Sequence, residues 1–291
     1  MSAPGYARPG FLTQAWLVFR RRVLLFFREP GECWLQLALL VGFPGLVALF
    51  AYDGLPQIRN LSMDTGGNLL RQLAEAVGFT SQAGKVGGLV SGLVMFQVVL
   101  LTLTASNNGA REIAAERLLY EKERLAGLRP ESYLAAKAAF LLILVTAQAG
   151  WMTLFVKLVC QFPGDLAPQF ASLFLVDAAM TAVSLAISAW AGSAEQASLI
   201  SVYLVGFQLP LSGAVLALPE PLGALVRPFI ASYWSWSGYL QTMRDTRFYD
   251  MVRTVTSTPV AGAELCQWML LGHIVVGLVF AYLGCLRSRW E

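Results

Sequence analysis

The residues that could do chemistry in this chain are crowded into one stretch. Of 39 Lys, Arg, Asp and Glu side chains among 291 residues, 11 lie between Arg111 and Lys137. Within it Glu112, Glu116 and Glu123 share one helical stripe, and Ile113, Arg117, Tyr120 and Arg124 share the next. Side chains three and four residues apart lie on one helix face, so the stretch reads as a helix carrying two stripes of opposite sign. That is the chemistry of recognition rather than of bond making. Two outcomes fit the pattern equally well. One is a docking surface for a soluble partner. The other is a solvated helix laced by its own ion pairs, each worth ~0.3–0.5 kcal/mol. Asn107 or Asn108 is expected to cap its start, Gly127 to stop it and Pro130 to open the next helix.

Groups for catalysis are scarce. His273 is the only histidine, and no His-Glu-x-x-His pattern or acidic pair is set up for metal or acid/base work. Gly84-Lys85 is followed by Val86 and lacks the upstream glycine of a phosphate loop. The chain is therefore read as a non-enzyme that binds no metal or nucleotide itself.

Composition identifies the elements that must position these groups. Hydrophobic residues make up 56% of the chain and charged residues 13%, with a mean hydropathy of +0.59. A soluble domain holds roughly 45–50% and about 25%, so a water-soluble globule and a disordered chain are both excluded. Four cysteines make no disulfide framework. Six segments are long and apolar enough to span a bilayer: Trp34–Tyr52, Val86–Ser106, Ala138–Cys160, Phe170–Gly192, Ser198–Leu218 and Leu265–Leu286. With the N-terminus in the cytoplasm, 13 basic residues fall inside and 7 outside, as the positive-inside rule asks. The net charge of +3 is then topology, not a nucleic-acid footprint. The expected fold is an all-α polytopic membrane protein, one transmembrane domain over 1–291. It divides into an amphipathic cytoplasmic helix (1–33), a six-span core (34–286) and a cytoplasmic tail (287–291). The expected home is an inner membrane, with both termini cytoplasmic.

Three further features need a role. Leu12, Trp16, Phe19, Val23 and Phe26/Phe27 recur at helical steps opposite Arg21 and Arg28. Such a helix lies in the headgroup layer, either as an anchor or as a lever against a partner, and Pro30 ends it. The outer segment Pro219–Glu264 is too apolar for a wet loop and contains Tyr233, Trp234, Trp236 and Tyr239. A re-entrant helix pair and an interfacial aromatic belt are both open. Lys157 and Asp177 lie in neighbouring antiparallel spans, and a buried pair between them is expected, with an ion site or a snorkelling lysine as alternatives. Cys160 and Cys266 fall at outer span ends, as free thiols or a bridge.

Taken in order, Arg111-Glu112-Ile113, Glu116-Arg117, Tyr120, Glu123-Arg124, Gly127-Leu128, Tyr133 and Lys137 resemble the segment after the second span in ABCG (White)-type permeases of the type-2 ABC exporters. Arg21-Arg22 with Arg28-Glu29-Pro30 resembles that family's connecting helix. Ser212-Gly213 and the aromatic run Tyr233–Leu240 resemble its fifth span and outer loop. The resemblance implies a permease subunit that exports a lipophilic or amphipathic substrate. A separate ATPase subunit would supply ATP and Mg, and a second permease chain, identical or a paralogue, would complete the path among membrane lipids. It implies coupling through Arg21, Arg28, Glu112, Glu116, Arg117, Tyr120, Glu123 and Arg124. It also implies a substrate path past Phe96, Gln97, Phe207, Gln208 and Leu211, with Ala214 and Val215 where the family has bulkier valve residues. A secondary transporter or channel is the alternative class.

Overall fold

The computed structural model describes residues 9–54, 69–214 and 217–287. Helices and short turns make up the described residues, without a strand. α1 (Phe11–Arg28) meets α2 (Pro30–Ala51) at Glu29, which is non-helical at φ −100° and ψ 88°. Pro30 takes the first position of α2, where its missing N–H costs nothing. Gly31 is already inside α2.

α3 (Leu69–Ala110) is longer than the expected second span and carries straight through Asn107 and Asn108. Neither asparagine caps a helix. The Asn108 amide is bound by side chains from other helices, so it stays in the helix rather than competing with its backbone. The chain then breaks over Arg111–Ile113. Ser188 Oγ accepts the freed N–H groups of Ile113 (3.0 Å) and Ala114 (2.9 Å). One 3₁₀ turn leads into α4 (Arg117–Leu125), far shorter than the expected charged helix. α4 closes as foreseen. Gly127 has φ 108°, its N–H reaches Arg124 O, and the Leu128 N–H reaches Glu123 O, which is a Schellman stop. Pro130 opens α5 (Pro130–Cys160).

α6 (Leu166–Trp190), α7 (Ala194–Leu211), α8 (Glu220–Val226), α9 (Ala231–Gln241), α10 (Arg247–Val255) and α11 (Ala263–Leu286) follow. Among the described residues, five helices are long and apolar enough to cross a membrane: α2, α3, α5, α6 and α11. The fifth expected span, Ser198–Leu218, is α7, which stops at Leu211. Pro210 removes one backbone donor, and Gly213 turns the chain at φ 76°.

α6 is the hub. Glycines bring its neighbours to backbone contact, the usual way helices associate without a hydrophobic driving force. A Cβ on Gly109 of α3 would lie 2.6 Å from Thr181 O and 2.9 Å from Leu185 N. On α11, a Cβ at Gly277 would meet Ala182 at 2.7 Å, and one at Gly284 would meet Ala189 at 2.6 Å. α9 is buried from Ala231 to Leu240 among α3, α6 and α11. Trp236 Nε1 donates to Ser91 Oγ at 3.2 Å, and Ser235 Oγ to Ser172 O at 2.9 Å. Its aromatic residues are therefore core, not an interfacial belt.

Candidate functional site

At the α4 end of the bundle, the first charged stripe turns inward onto α1 and α5. Lys137 on α5 is only 1% exposed, yet it carries an ammonium. It sits where two acidic residues converge: its Nζ lies 3.0 Å from Glu112 Oε1 and 2.9 Å from Glu116 Oε2. Arg22 grips Glu112 with two parallel hydrogen bonds, Nε to Oε1 at 2.6 Å and Nη2 to Oε2 at 2.9 Å, the fork geometry that suits a carboxylate. The same guanidinium donates to Glu32 at 2.5 and 3.1 Å and lies 4.5 Å from the Phe140 ring centroid. Burial works against its charge, but the bonds to Glu32 and Glu112 outweigh this and hold Arg22 above the ordinary guanidinium range. Arg21 pairs with Glu123 and lies 3.8 Å from Glu116.

The second stripe turns the other way. Arg117 donates to the carbonyls of Ser188 and Ala189 at the end of α6. Tyr120 OH and Arg124 donate to Cys285 O at the end of α11, at 2.9 and 3.3 Å. Cations at helix C-termini also complement the helix dipole. Tyr120 packs on Tyr133 with ring centroids 4.4 Å apart. Gln14 of α1 completes the clasp: its Nε2 donates to Gly127 O, and its Oε1 accepts the Arg129 N–H at 2.9 Å.

The stripes therefore do not form the outer surface of α4, as the sequence pattern had left open. They hold α4 in place. Its outward ridge is Leu118 and Leu125, 69% and 85% exposed, with Lys122 between them. Arg28 is exposed and takes no part in the clasp.

Beneath the charges three buried amides close a ring. Gln36 Nε2 donates to Asn108 Oδ1 (2.9 Å), Asn108 Nδ2 to Gln148 Oε1 (2.8 Å), and Gln148 Nε2 to Gln36 Oε1 (2.7 Å). One member comes from each of α2, α3 and α5. Gln36 is the sole polar side chain early in its span, which was the available signal; its partners, 72 and 112 residues away, were not readable.

Among the described residues, those expected to line a path stand in separate surroundings. Gln97 is buried and bonds to its own helix at Leu93 O. Gln208 Oε1 accepts the Ser232 N–H at the start of α9. Phe207 is 60% exposed, while Phe96 stacks edge-on against Phe50. Leu211 and Ala214 are half-buried beside the end of α7, and Val215 lies outside the described residues. The Lys157–Asp177 pair is not formed. Lys157 Nζ donates to Phe162 O and Gly164 O in the adjoining turn, at 2.6 and 2.5 Å. Asp177 is fully buried, and neither carboxylate oxygen has a hydrogen-bond partner among the described residues. Lys157 lies three residues from the end of α5, and Asp177 eleven from the start of α6. At 1.5 Å per residue that is a height difference of roughly 12 Å, beyond a lysine's reach. Cys160 and Cys266 are both free thiols.

Long apolar helices packed through glycines, with a polar clasp at one end, define an integral, multi-pass membrane protein. The profile of the ABC-2 type transporter family matches residues 13–244, and the chain belongs to that family as a permease component. No curated protein matches it.

Proposed function

We propose that this permease couples ATP hydrolysis by a separate nucleotide-binding subunit to export of a lipophilic or amphipathic substrate. The observation that carries the reading is α4, a nine-residue helix fixed to α1, α6 and α11 with a bare apolar ridge outward. The ridge receives the ATPase subunit, which holds the ATP and Mg. The α4 end then faces the cytoplasm, with both chain termini on that side. When the ATPase dimer closes, it displaces α4. The contacts of Arg117, Tyr120 and Arg124 carry that displacement into α6 and α11, and those of Glu112, Glu116 and Glu123 carry it into α1 and α5. A second permease chain covers the apolar face of α2 and α7, where Val41, Leu49 and Tyr203 are exposed.

The test is Leu118→Glu with Leu125→Glu. Both side chains are exposed, so the variant should fold normally, yet lose co-purification with the ATPase subunit and lose ATP-driven transport. A variant that keeps both would overturn the assignment of α4.

A further inference from the structure

A cavity of about 520 Å³ lies between the end of α1, the start of α2 and the end of α3. That is within the usual range for small-molecule sites. Arg22, Glu32 and Glu112 on its wall are tied to one another, and Gln36 and Asn108 of the amide ring also line it. Two charged groups on the wall are uncommitted. Glu29 and Arg111 are exposed, and their side chains form no hydrogen bond or ion pair among the described residues. Arg111 acts only through space on Glu195.

A second cavity of about 220 Å³ adjoins the first and shares Leu35, Asn107 and Arg111 with it. Its further walls are largely apolar, with Leu39, Phe43, Leu103 and Val202 from α2, α3 and α7. A polar chamber holding one spare cation and one spare carboxylate thus runs into a greasy groove. A head and a tail fit that shape.

We propose that the two cavities form a site for a zwitterionic amphiphile, an alkyl or acyl chain bearing a phosphate and a primary amine. Arg111 takes the phosphate, since a guanidinium matches its oxygens in a fork, and the Asn107 amide adds a neutral donor. Glu29 takes the ammonium. The chain lies along Leu39, Phe43 and Leu103, where each buried methylene strengthens binding about fourfold. A head with one charge leaves the other wall group unanswered, so the chamber discriminates by charge pattern rather than by net charge. As the loading position for transport, the site rests on the export reading above; as a binding site it does not.

The probe is dodecyl phosphoethanolamine, titrated onto the purified permease in dodecyl maltoside and read by native mass spectrometry. Comparison ligands are dodecyl phosphate, dodecylamine and free phosphoethanolamine. The zwitterion should bind about tenfold or more tighter than either singly charged amphiphile, as expected for one added charge-assisted contact. The free head should not compete. Glu29→Gln should erase the preference over dodecyl phosphate, and Arg111→Gln the preference over dodecylamine. Neither residue holds the fold together, so both variants should melt like the parent. Equal binding of the three amphiphiles, indifference to both substitutions, or competition by the free head would each overturn the site. Selective binding without stimulation of the partner's ATPase would leave the site standing and count against export. Stimulation without the charge pattern would do the reverse.

Discussion

Replacing Lys137 by methionine removes an ammonium that is 1% exposed from between Glu112 and Glu116, whose side chains are 5% and 22% exposed. Breaking a buried ion pair from one side costs about 3–5 kcal/mol, because the remaining charge is left uncompensated. Here Arg22 still grips Glu112, and Arg21 stands 3.8 Å from Glu116, so the lower end, about 3 kcal/mol, applies. Arg21→Ala provides the contrast. Its pair with Glu123 is about 30% exposed on both sides, and solvent screening limits such pairs to ~1 kcal/mol or less. Thermal unfolding in detergent, followed by tryptophan fluorescence, reads both. At about 2–4 °C per kcal/mol for a chain of this size, Lys137→Met should lower the midpoint by about 6–12 °C, and Arg21→Ala by about 4 °C at most. Combining Lys137→Met with Glu112→Gln should cost less than the sum, since the second change removes the stranded charge. The reasoning fails if Lys137→Met is no worse than Arg21→Ala. It also fails if the double variant is additive within ~0.5 kcal/mol.

Three other outcomes follow from the packing. Asn108→Leu should strand one group on each of Gln36 and Gln148 and cost about 1–3 kcal/mol for each unsatisfied group; replacing all three amides by Leu or Met should recover part of that loss in the same melting assay. Gly109→Val should prevent the close approach of α3 to α6 and sharply reduce the folded yield, while Gly92→Val, with nothing within 4 Å of its Cβ position, should not. Gly127→Ala places a side chain at φ 108° and should cost about 1 kcal/mol or more, seen as faster proteolysis between α4 and α5.

Local signals were legible where the physics is local. Pro30, Gly127 and Pro130 mark element ends by their own backbone requirements, and all three stand where their chemistry places them. The stripes on residues 112–124 were also visible, but not their direction. The groups that answer them, Arg22, Lys137 and the carbonyls of Ser188 and Cys285, are brought there by tertiary packing across up to 165 residues. Asn108 looked like a cap because asparagine caps helices; its amide went instead to Gln36 and Gln148. The Lys157–Asp177 expectation rested on a span starting at Phe170, which sets the two only about 6 Å apart in height; the helix starts four residues earlier, at Leu166, and that doubles the offset. Lys157 found carbonyls within its own turn, as lysines near helix ends do.

Gly277 and Gly284 have a mechanical meaning. A layer of side chains between two helices is compliant, because rotamers can shift and let the helices slide. At these two positions on α11 that layer is absent, and the helix rests directly on α6. The pair therefore behaves as a stiff beam. Arg117 is tied to the tip of one member, and Tyr120 and Arg124 to the tip of the other. Under the docking proposed above, a force on Leu118 and Leu125 would be delivered to the beam as translation, with little lost to bending. The give must lie elsewhere: at the Glu29 elbow between α1 and α2, and at Gly213 beyond α7, where the backbone leaves the helical region.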